Sequence, residues 1–169
     1  MPDAPDIPRP SLLWKRLSSD RKLRAAEAFW ADSEAATEQA EAVLLIAQRI
    51  KFRAKSVLAM PRERKARYLV GLGAVSEMLA ARLLVAYHLA HQRGMMGAFL
   101  DALGIAHDNG LIADEDLQAP AAERLQTAVQ AIAAAHPAED VALYLSTLVW
   151  QDPDTWGGLA DTPALSLPA

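Results

Sequence analysis

"YLVGLGAVSEMLAARLLVAYHLAH", residues 68–91, is the stretch whose reading decides the fold. It is the most apolar segment of the chain and has the length of a membrane span. Glu77 and Arg82 lie near its middle, and each would cost about 2.5–3.5 kcal/mol at the bilayer centre. The stretch therefore reads as a helix buried by other helices, and no membrane span is expected. Pro61 suits a helical first turn, where its missing N–H costs nothing, and Glu63 meets the positive helix end there. Extended both ways, the predicted helix runs from Pro61 to about Arg93, roughly 33 residues or near 50 Å. Gly71 and Gly73 fall inside it, at about 1 kcal/mol each relative to alanine. Close approach of a neighbouring helix or a kink would account for them.

Upstream, "AMPRER" at 59–64 marks a boundary, and the short connection implies an antiparallel partner. That partner is a predicted helix from Asp32 or Ser33 to about Leu58, with Val43, Ile46, Ile50 and Val57 on its apolar face. Ser18 or Ser19 offers a cap for the helix "DRKLRAAEAFW". Leu12, Leu13, Trp14 and Leu17 anchor a short helix before it. Downstream, Gly94 is a candidate to end the long helix and Gly104 to end the short one "MMGAFLDAL". Asn109-Gly110 is a tight turn, and its apolar flanks Ile105 and Leu111–Ile112 form either a small hairpin or pins for the loop. Two further helices follow, about Pro120 to Ala135 and Pro137 to about Trp150, separated at His136-Pro137.

The expectation is thus an all-α, single-domain bundle of about five main helices around the long central helix 61–93. A short N-terminal helix and irregular termini complete it. By domain, residues 1–10 are an arm with four prolines, 11–150 the bundle, and 151–169 a tail containing Pro and Gly. Trp156 is a candidate to fold back onto the body.

The composition supports this. Half the chain is apolar, dominated by alanine and leucine, while aromatic residues make up only 6%, which favours helix over strand. No cysteine is present, which excludes disulfides, thiolate metal sites and a cysteine nucleophile. Together with a proline-rich, acidic start, that fits a soluble protein in a reducing, cytoplasmic setting.

Charge is distributed unevenly. Residues 1–67 carry a net +5 and residues 68–169 a net −9. Within 49–67, eight bases face one acid: Arg49, Lys51, Arg53, Lys55, Arg62, Arg64, Lys65 and Arg67 against Glu63. These eight are the candidate contacts for an anionic partner. The alternative is a solvated helix face that meets the acidic half of the chain within the fold or across a dimer. A pI of about 5.5 argues against nucleic acid, as does the scarcity of aromatic residues for stacking.

Residues that carry chemistry are few. His88 and His91 are one helical turn apart, and Glu77 lies close to three turns before His88 on the same face. With His107 from the loop, these four are the candidate metal ligands. The Glu-x-x-His pairs of carboxylate-bridged di-metal bundles are missing. Histidines near a helix end also serve its last carbonyls without any metal. The acids of "DNGLIADED" do not follow the spacing of a calcium loop. Ser56, Ser76 and Ser146 lack a nucleophile motif, and "GLG" at 71–73 lacks the rest of a phosphate loop. Met95 and Met96 beside Phe99 read as core or as an adaptable groove. Among Trp14, Trp30, Trp150 and Trp156, an exposed one would mark an interface.

No motif implies a cofactor, and no catalytic constellation appears. The expected function is a non-catalytic helical interaction or scaffold protein that self-associates or takes an acidic protein partner. The alternatives are a metal or small-ligand binder using the 77–107 region, and a binder of an anionic partner through 49–67.

Overall fold

The computed structural model describes residues 8–165. Within them the protein is all-α, with ten helices and one two-residue ribbon. The sequence reading places these helices in one bundle. In the structure the contacts gather into two compact units, Pro10–His91 and Gln92 onward. Residues 1–7 of the expected arm and 166–169 of the expected tail lie outside the described residues.

In the first unit α2 (Ser19–Ala31) is the hub, packing on both α5 (Arg62–Val70) and α6 (Glu77–His91). Its start follows the sequence: the Ser18 side chain accepts from the Arg21 backbone N–H and caps the helix. Ala25, Ala26 and Phe29 are fully buried on its inner face. The small alanines let the neighbouring helices approach closely. At its end Gln39 donates to the carbonyls of Phe29 and Asp32, both at 2.8 Å, and so satisfies groups that a helix end leaves free. The short α1 (Pro10–Arg16) packs on α6.

The long helix 61–93 is not formed. It is two helices, α5 and α6, separated by residues 71–76. Gly71 ends α5, and Gly73 takes φ +78°, where a side chain would strain the backbone. Ser76 then accepts from the Leu79 N–H at 3.2 Å and starts a new helix. Two glycines followed by a serine cap outweigh the apolar continuity of the stretch. Gly94 does not end α6 either, since that helix stops at His91. The helix expected from 33 to 58 is likewise divided, into α3 (Ala36–Ile50) and α4 (Ala54–Leu58). Lys51 ends α3 in the left-handed conformation at φ 58°, with Phe52 N–H closing back to the Ala47 carbonyl at 3.0 Å.

In the second unit α7 (Arg93–Leu103) packs on α8 (Ala122–Ala135). Gly104 ends α7 at φ +69° as the sequence predicts, and Arg124 donates to the Leu103 carbonyl at 2.6 Å. The helix expected from Pro137 is α9 (Ala138–Gln151). Every residue from Asp140 to Val149 is buried, so α9 is the helix enclosed on all faces. Part of its cover comes from the segment expected as an irregular tail. Asp152 caps α10 (Pro153–Trp156), and two 3-10 turns, Gly157–Leu159 and Pro163–Leu165, follow. The Thr155 hydroxyl, and then its backbone N–H, hold the Asp152 carboxyl below the usual carboxylate range. Trp156, Leu159 and Leu165 are buried. Phe99 meets Tyr144 edge-on at 5.6 Å and Trp156 at 5.9 Å. Such aromatic pairs add about 0.5–1.5 kcal/mol beyond burial. Burial also pushes the Tyr144 phenol up, so it stays neutral. Met95 and Met96 belong to this core.

Candidate functional site

Of the four residues read as metal ligands, Glu77 and His107 hold hydrogen bonds within the fold, and His88 and His91 lie beside Tyr87. Glu77, in the first turn of α6, accepts from the Ser11 backbone N–H at 3.1 Å and from the Ser11 hydroxyl. Its carboxylate thereby serves the N-terminal turn of α1. His88 is buried with its ring 5.8 Å from that of Tyr87, while His91 is exposed with its ring 5.6 Å from the same tyrosine.

His107 lies in the second unit and holds the ribbon His107–Asp108 to Leu111–Ile112 against α7. Its Nδ1 accepts from the Gly110 N–H at 3.0 Å, so the proton is on Nε2, which donates to Asp101 at 2.7 Å. Both ring nitrogens are thus engaged in hydrogen bonds within the second unit. Among the described residues no three His, Asp or Glu side chains are arranged to hold a metal ion.

The ribbon needs glycine twice. A Cβ at Gly97 would lie 3.1 Å from the His107 ring. At Gly110, with φ +91°, it would lie 2.9 Å from Met96 Cβ and 3.1 Å from the Arg93 carbonyl. Arg93 donates to the Asn109 carbonyl at 3.1 Å and fixes the turn further. The hairpin pairs His107 with Ile112, and Ile105 stays outside it.

The cations of 49–67 divide into three groups. Lys65 is committed to the fold: its Nζ sits 4.7 Å over the Trp30 ring and donates to the Leu58 carbonyl at 3.4 Å. Burial, and then Arg62, push its ammonium below the usual lysine range. Arg62 is exposed in the first turn of α5; further along, Arg64 lies 5.8 Å over the Tyr68 ring, and with Arg67 bounds an open depression of about 310 Å³. Arg49, Lys51, Arg53 and Lys55 are exposed at the end of α3 and along the start of α4.

Of this last group Lys55 lines an apolar groove of about 380 Å³. One wall is α3, with Ala40, Val43 and Leu44; the other is α4, with Ala54, Lys55 and Leu58. Leu44 is 57% exposed and Leu58 62%, and Phe52, in the connection between the two helices, is 48% exposed. Single exposed leucines are ordinary, but two on facing walls of one groove, with an exposed Phe52 in the connection between those walls, are more than scatter. Lys51 adds a second signal. A left-handed backbone costs a non-glycine residue about 1–2 kcal/mol, yet a lysine occupies the turn where glycine would fit without strain.

The sequence reading found the cations but not the groove. Leu44 and Leu58 are 14 residues apart, and the turn at 51–53 is what sets their helices side by side. Among the described residues no helix is long and apolar enough to cross a membrane. Comparison with protein-family models, with characterised proteins and with solved structures finds no match to this chain.

Proposed function

We propose that this protein is a non-catalytic interaction module whose α3–α4 groove takes an acidic, amphipathic segment of a protein partner. The carrying observation is the groove itself: an apolar floor open to solvent and lined by Lys55, with Lys51 and Arg53 exposed in the connection that leads into α4. Apolar contact supplies affinity. The cations select carboxylate-flanked segments over basic ones and speed encounter. A leucine side chain that becomes fully covered contributes about 1.5–3 kcal/mol, which is tenfold or more in affinity.

A fluorescein-labelled helical peptide of Glu and Leu, with Leu at i, i+3, i+4 and i+7, tests the reading by fluorescence anisotropy. Binding is expected to weaken as salt rises and to fall at least tenfold in Leu44→Asp/Leu58→Asp, whose exposed positions leave the fold intact. Equal binding of a Lys-and-Leu peptide of the same pattern, or no effect of the double substitution, overturns it.

A further inference from the structure

We infer that the segment this groove takes is presented by a second copy of the same chain, through its 107–116 hairpin; this rests on the groove reading above. The hairpin has the chemistry the groove lacks. Leu111 is 44% exposed and Ile112 37%, and Asp108, Asp114, Glu115 and Asp116 around them are all exposed. Two aliphatic side chains flanked by four carboxylates complement a groove of aliphatic walls lined by Lys55, with Lys51 and Arg53 exposed just before it in the chain.

Shape agrees with charge. Leu111 and Ile112 are consecutive in a strand, so they point to opposite faces of the ribbon. Ile112 is paired with His107, whose ring lies against Gly97 of α7, so Leu111 is on the open face and is the side chain presented to the groove, with Ile112 at its margin. Both sides are held before they meet. His107, Arg93 and Gly110 pin the hairpin, and the Ala113 N–H closes it to the Ala106 carbonyl at 3.2 Å. Little ordering entropy is then lost on docking. The contact joins two different surfaces, so every copy carries one of each, and association closes into a reciprocal dimer or ring or continues as a chain.

Sedimentation velocity on the full chain tests this with two variants, a hairpin variant Leu111→Asp/Ile112→Asp and a groove variant Leu44→Asp/Leu58→Asp. The wild type is expected to associate, less so at high salt, and each variant alone to sediment as a monomer. Mixed in equal amounts, the two variants are expected to form a one-to-one dimer, because the intact hairpin of one meets the intact groove of the other. Circular dichroism of each variant confirms that it is folded. A wild type that stays monomeric at high concentration overturns the inference. So does a mixture that stays monomeric while the wild type associates. If the acidic peptide still binds the groove in either case, the groove reading stands and only the second copy is lost. If no peptide binds, both fall together.

Discussion

In the unit from Gln92 onward, the chain returns over its own apolar surface: Trp156, Leu159 and Leu165 are buried, and α10 and both 3-10 turns pack on the enclosed α9. In the unit from Pro10 to His91, the later helices α5 and α6 pack on α3, yet Leu44, Phe52 and Leu58 stay in solvent. The two surfaces are made of similar residues. What separates them is whether the chain that follows packs over the apolar side chains: the turns after α9 do, while α5 and α6 leave Leu44, Phe52 and Leu58 uncovered. Charge follows the same division: α3, α4 and their connection carry exposed cations, while the second unit holds most of the acids. A covered apolar face contributes stability, and the open one is the surface proposed to take a partner.

The largest test of that contrast is Trp156→Ala. The side chain is almost fully buried against Phe99, so its removal is expected to cost about 3–5 kcal/mol, read by urea denaturation. A cost below 1 kcal/mol would mean that the returning segment is not what stabilises this unit. Gly110→Ala comes next. Its Cβ would meet the Met96 side chain and the Arg93 backbone at a positive φ, so a loss of about 1–3 kcal/mol is expected. Hydrogen exchange at Gly110 and Ala113 should rise with it, and unchanged protection would show the hairpin is not pinned to α7.

The smallest effect has the opposite sign. Lys51→Gly relieves a left-handed strain of about 1–2 kcal/mol but frees the unfolded chain by about 0.4–1 kcal/mol. Thermal unfolding should therefore show a gain of roughly 0.5–1 kcal/mol, while affinity for the acidic peptide falls. A gain in stability with unchanged affinity would show that Lys51 takes no part in binding.

Much of the helical layout was legible in the residues. Ser18 caps α2, Gly104 ends α7, Pro137 separates α8 from α9, and Asn109-Gly110 turns a hairpin. Each rests on one or two residues with a strong local conformational preference. The 61–93 helix misread its own punctuation. Gly71, Gly73 and Ser76 carry the signal of a break, but the apolar run around them has the length of one continuous helix, and a glycine permits a positive φ without requiring it. Lys51 gave no such warning, because a lysine rarely takes the left-handed conformation and nothing in its neighbours announces it.

The candidate site divides the same way. The cations of 49–67 stood out as a run, and the histidines as a spacing. Whether Lys65 was free or spent on Trp30, and whether His107 was a ligand or a pin, depended on partners distant in sequence. By itself, then, the sequence determined the helical class, most caps and turns, and the separation of charge, since these depend on side-chain propensity within a few residues. Only the tertiary structure decided which helix was enclosed, which cations remained in solvent, and that Leu44 and Leu58 share an open groove. Those outcomes depend on which surfaces meet, and burial is a property of neighbours that no local pattern names.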